Sequence, residues 1–100
     1  MKNLKEGLQF EIVSNMGLNL RKTPVTSSDD NIIRTISKGE IVTFYKGLSD
    51  ENWPGNEYWP GDGHGWIRVK YGEYEGWICY YYYDKNLKKE NNYAEALFEW

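Results

Sequence analysis

Two side chains in this sequence could do covalent or proton chemistry together: its single cysteine, Cys79, and its single histidine, His64. A thiol nucleophile needs a positioned base, and His64 is the one candidate. The pattern around them is poor in support. His64 sits between Gly63 and Gly65, without partners at metal-ligand spacing, and a buried, inert Cys79 is the plainer reading. One cysteine excludes an internal disulfide and any multi-cysteine zinc site. There is no glycine-rich phosphate loop and no nucleophile elbow. The sequence therefore reads as a non-enzyme, with no cofactor and no metal. The thiol enzyme stays as a second class, recognised by fast alkylation of Cys79 at neutral pH.

The residue types that stand out are built for binding. Seventeen of 100 residues are aromatic, nine of them Tyr and five Trp. These carry a polar tip on an apolar body, so they serve surfaces that must both pack and recognise. Trp53, Tyr58 and Trp59 fall in one long loop, with Asp50, Glu51, Glu57 and Asp62 interspersed. Two readings stand for the aromatics: a lid folded over the end of the domain, or the wall of a ligand groove, where aromatic anchors carry much of the binding energy. The acids are either simply solvated or ring the aromatics and favour a cationic ligand, such as a lysine or a free peptide amine.

The stretch that must position these groups is Gly65–Tyr71 and Gly76–Tyr82, read as two strands of a hairpin. Ile67, Val69 and Tyr71 alternate with Trp66, Arg68 and Lys70, and Ile78, Tyr80 and Tyr82 alternate with Trp77, Cys79 and Tyr81. Period-two alternation gives each strand one aliphatic and one mixed face. Of the two Trp on the mixed face, Trp77 is taken as the more accessible. Four successive tyrosines, Tyr80 to Tyr83, must split between faces, so at least two should be accessible.

Elsewhere, residues 1–7 form a polar arm. Leu8–Ser14, Leu18–Arg21, Ile32–Ile36 and Ile41–Tyr45 read as further strands, from alternation and β-branched content. Val25–Asn31 reads as a loop with no core signal. Lys46–His64 is the long loop, with Pro-Gly turns after Trp53 and Trp59. Asp84–Asn91 reads as a charged linker. Asn92 and Glu95 fit a helix cap, so one or two turns of terminal helix are expected after the linker, docked by Leu97, Phe98 and Trp100.

The ordered pieces Leu18-Asn19-Leu20-Arg21 with Pro24, Lys38-Gly39-Glu40 with Ile41-Val42, Gly65-Trp66-Ile67 and Gly76-Trp77-Ile78 resemble the bacterial SH3 domain family. The span is about residues 8–83. The resemblance implies an all-β, small, partly open SH3-like β-barrel, here with a short C-terminal helical tail over 84–100. It also implies a non-catalytic module that binds peptidoglycan peptides, cross-bridges or proteins through loop and strand-end aromatics. Carried onto this sequence, the groove involves Tyr45, Trp53, Tyr58, Trp59, Trp77, Tyr80 and Tyr82, with Asp50, Glu57 and Asp62 supplying its charge. The chain departs from the family in its Trp- and acid-rich loop and its tail, and neither a leader nor an attached hydrolase is expected from its 100 residues.

The net charge of -3 argues against a phosphate-driven nucleic-acid binder, and no apolar run suggests a membrane partner. The expected partner is a peptide-like ligand from the cell wall. The alternative is a protein partner inside the cell, with the chain acting as an accessory or phage-borne inhibitor. A cytoplasmic location is expected if the chain is complete, and cell-wall association if it is a piece of an exported protein or lysin.

Overall fold

The computed structural model describes residues 7–44 and 57–97. Nine strands follow in chain order: β1 (Gln9–Ile12), β2 (Leu18–Arg21), β3 (Ile32–Ile36), β4 (Ile41–Phe44), β5 (Glu57–Tyr58), β6 (His64–Tyr71), β7 (Tyr74–Asp84), β8 (Lys89–Asn92) and β9 (Ala94–Ala96). A 3-10 turn, Asp29–Asn31, precedes β3. The protein is all-β, and no α-helix occurs among the described residues.

The strands form one antiparallel sheet in the order β3-β2-β7-β6-β4-β1-β9, with β5 added to β6 and β8 to β7. This path is open, with β3 and β9 at its ends. The hairpin β6–β7 is its spine. Its loop is only Gly72-Glu73, because Tyr71 pairs with Tyr74. Gly72 takes φ 60° while Glu73 does not enter the left-handed region, the pattern of a tight II′ hairpin turn. Each long strand then changes partner along its outer edge. β6 pairs with β4 at Val69 and Lys70 and with β5 at Trp66 and Ile67. β7 pairs with β2 at Trp77 and with β8 from Tyr81 to Asp84.

The aliphatic face of the hairpin is the core. Ile67, Val69 and Ile78 are fully buried with Leu20, Ile36, Val42 and Phe44, as the alternation predicts. The mixed face is buried too. Trp66 and Trp77 are each 2 % exposed and pack with Cys79, Tyr58 and Tyr93. The expectation that Trp77 is accessible is therefore wrong. Arg68, its cross-strand partner, lies over the indole with the guanidinium carbon 4.7 Å from the ring centroid.

The expected C-terminal helix is also wrong. Residues 94–96 are strand β9, pairing Ala94 with Ile12 and Ala96 with Phe10, and the Leu97 N–H donates to the Gln9 carbonyl at 2.9 Å. β1 has a free edge beyond β4, and pairing with it satisfies backbone groups that a one-turn helix would leave open. Ala94 is 2 % exposed there. The segment read as a linker is instead a hairpin arm. Asp84 Oδ1 accepts from the N–H groups of Asn86 and Leu87, Lys88 turns the chain at φ 51°, and β8 returns along β7. The loop before β3 is likewise built. Asn31 donates to Thr23 and Val25, and the buried Arg21 donates to the Ser28 carbonyl and to Asn31 Oδ1.

Candidate functional site

A β-bulge in β7 organises the most distinctive surface. The register passes from Trp66↔Cys79 to Gly65↔Tyr81, so Tyr80 has no partner in β6. A bulged strand carries one extra residue, and side-chain parity changes beyond it. Tyr81 joins the face of Gly65 and Ile67, and Tyr82 moves to the face of His64 and Trp66. Tyr80 stays over the core, edge-on to Phe10 at 5.8 Å between ring centroids. Two successive tyrosines thus stand on one side of the sheet, 6.5 Å apart. Simple alternation forbids this, and the sequence reading missed it.

Trp59 completes this group. Its ring lies 6.0 Å from Tyr80 and 5.7 Å from Tyr81, centroid to centroid. Gly65 is the floor beneath it: a Cβ there would lie 2.4 Å from the Trp59 Cη2 atom. Glycine is required for that close approach. Trp59 nevertheless remains 38 % exposed. It is therefore packed on the sheet and still presented to solvent.

Two carboxylates border these rings. The Trp59 indole N–H donates to Glu57 Oε2 at 3.4 Å, a long bond, and the Tyr81 hydroxyl donates to Glu90 Oε1 at 3.2 Å. Burial, then the Glu57 charge, pushes the Tyr80 phenol up to about 12. The Tyr81 phenol is also raised, by partial burial and then by Glu90. Glu90 lies in β8, within the segment read as a linker, which is why it was not foreseen.

The other predicted site residues are distributed elsewhere. Tyr58 pairs with Trp66 and packs, half-buried, on the Trp66–Trp77–Cys79 side. Trp77 is buried beneath Arg68. Tyr82 stacks on His64, with centroids 4.4 Å apart and planes 30° from parallel. Asp62 Oδ1 accepts from the His64 N–H at 3.0 Å and lies 3.0 Å from His64 Nδ1. Slight desolvation raises the Asp62 carboxyl, but the bonds and charge from His64 outweigh it and hold the group below its ordinary value. Tyr45, Asp50 and Trp53 lie outside the described residues. The structure therefore assembles Glu57, Trp59 and Tyr80 from the predicted set, adds Gly65, Tyr81 and Glu90, and separates Tyr58, Trp77, Tyr82 and Asp62 from them.

Cys79 faces the Trp66 side, 8 % exposed, with its thiol donating to the Tyr81 carbonyl at 3.2 Å. Burial pushes the thiol up to about 11. A cleft of about 230 Å³ opens on this side between Met16, Asn19, Arg21, Trp66 and Cys79. No cluster of three or more metal-ligating side chains exists among the described residues. Compared with protein-family models, with curated proteins and with solved structures, the chain matches none of them.

Proposed function

We propose that this protein is a non-enzymatic binding module of bacterial SH3 type. It recognises a peptide-like ligand through Trp59, Tyr80 and Tyr81, bordered by Glu57 and Glu90. One observation carries the reading. A Trp more than one-third exposed is held on a glycine floor against two tyrosines, so an aromatic anchor is fixed in place and open to a partner. The family element of the proposal rests on the ordered motifs at Leu18–Arg21, Lys38–Glu40, Gly65–Ile67 and Gly76–Ile78, and on their occurrence in an antiparallel all-β sheet. A partly open barrel is the architecture it implies. An extended ligand suits such a surface, because its backbone is already ordered and aromatic rings clasp it along one side. The raised thiol of Cys79 and its bond to Tyr81 weigh against the competing thiol-enzyme reading.

The test is sedimentation of the purified chain with insoluble bacterial cell wall, run beside capture of partners from a cell lysate. Binding to the wall that is lost in Trp59→Ala supports a wall-peptide module. A single stoichiometric protein partner, also lost in Trp59→Ala, assigns the same surface to protein recognition inside the cell. Gly65→Ala should reproduce the loss, since its Cβ displaces the Trp59 ring. Full binding by both variants overturns the site.

A further inference from the structure

We infer that the Trp59–Tyr80–Tyr81 surface selects a protonated primary amine, a lysine side chain or a free peptide amine, on its ligand. The inference rests on the binding reading above and names the chemistry of what is bound.

Three features point the same way. The first is the rings themselves. A cation above an aromatic face is attracted by the ring quadrupole, most strongly by Trp. Trp59 keeps 38 % of its surface open while its neighbours hold it in place.

The second is the pair of acids. Glu57 reaches the indole N–H of Trp59, and Glu90 reaches the hydroxyl of Tyr81. Each bond uses one lone pair of a group that can accept about four hydrogen bonds. Arg21 with Asp29, His64 with Asp62 and Lys70 with Glu75 form ion pairs, and neither Glu57 nor Glu90 takes part in these three.

The third is chemical fit. The carboxylates border the rings at two different residues rather than forming one bidentate fork. A compact ammonium with three diverging donors matches that arrangement, whereas a planar guanidinium matches a single carboxylate better. Burial is the larger cause of the raised Tyr80 and Tyr81 phenols, and the charges of Glu57 and Glu90 add to it in the same direction.

The experiment uses the full chain and two forms of one probe, a short glycine–lysine peptide with free amines and the same peptide with every amine acetylated. Binding is followed by Trp fluorescence and by calorimetry. The free-amine form should bind about tenfold more tightly, with an affinity that falls as salt is raised. Glu57→Gln and Glu90→Gln should each erase most of that preference while melting at the wild-type temperature. Equal binding of both forms, lost in Trp59→Ala, overturns the amine inference and leaves the binding surface standing. Binding by neither form overturns the amine inference, and if the wall and lysate arms are also negative the binding reading falls with it.

Discussion

At the residue scale, Cys79 and Gly65 show how position decides chemistry. Cys79 is the only thiol, and burial holds its pKa near 11 rather than 9.0. In the unfolded chain the thiol ionises first, so the contribution of this group to stability is complete below pH 9 and is lost as pH rises toward 11. The full effect is on the order of 2–3 kcal/mol. Denaturation followed from pH 8 to 11 should show falling stability, with a shallower fall in Cys79→Ala. Iodoacetamide at neutral pH should modify the folded chain slowly and the denatured chain fast; rapid modification of the folded chain would restore the thiol-nucleophile reading. Gly65 works by what it lacks. Its missing side chain is the space that the Trp59 ring occupies.

At the scale of elements, the end of the described chain is the clearest case of tertiary pairing overriding local preference. Asn92 and Glu95 suit a helix cap and Leu97 a docked face, yet residues 94–96 complete the edge of β1. Ala94, opposite Ile12, has a buried side chain. Ala94→Asp places a carboxylate there with no cation paired to it, and should cost about 2–4 kcal/mol, because burying an unpaired polar group is costly. Urea denaturation measures this. An unchanged midpoint would mean that β9 does not pack on the sheet. The bulge at Tyr80 is the other decisive element. It costs one pairing in the ladder and sets Tyr81 beside Tyr80, where unbroken alternation would have placed them on opposite faces.

At the scale of the whole molecule, the sheet is organised around one hairpin covered on both sides. Leu20, Val42 and Phe44 pack with Ile67, Val69 and Ile78 on one face, and the other face buries Trp66 and Trp77. Ile78→Ala removes a fully buried side chain from the middle of the spine and should cost about 2–5 kcal/mol. Thermal or urea unfolding checks it, and a near-neutral result would contradict the facing of β7. The same two-sided burial explains why the exposed aromatic surface sits at the far end of the hairpin, beside the bulge. There Trp59, Tyr80 and Tyr81 lie where β7 has left β2 and taken β8 as its outer partner.

The sequence by itself determined the all-β class, the β6–β7 hairpin and the buried line of Ile67, Val69 and Ile78. Each of these depends on local period-two patterning and a glycine turn, which neighbouring residues encode. It also offered Glu57 and Trp59 as members of an acidic, Trp-rich loop open to a bland or a binding reading, and Tyr80 through the family resemblance. Only the tertiary structure decided the rest. Whether Trp77 is open depends on Arg68 across the strand, and whether residues 94–96 are helix or strand depends on the free edge of β1, more than 80 positions earlier in the chain. Which tyrosines meet Trp59 depends on a register shift at Tyr80 that leaves no mark in a run of four identical residues. Pairings between distant segments are set by the free energy of the whole sheet, and no window of local sequence contains them.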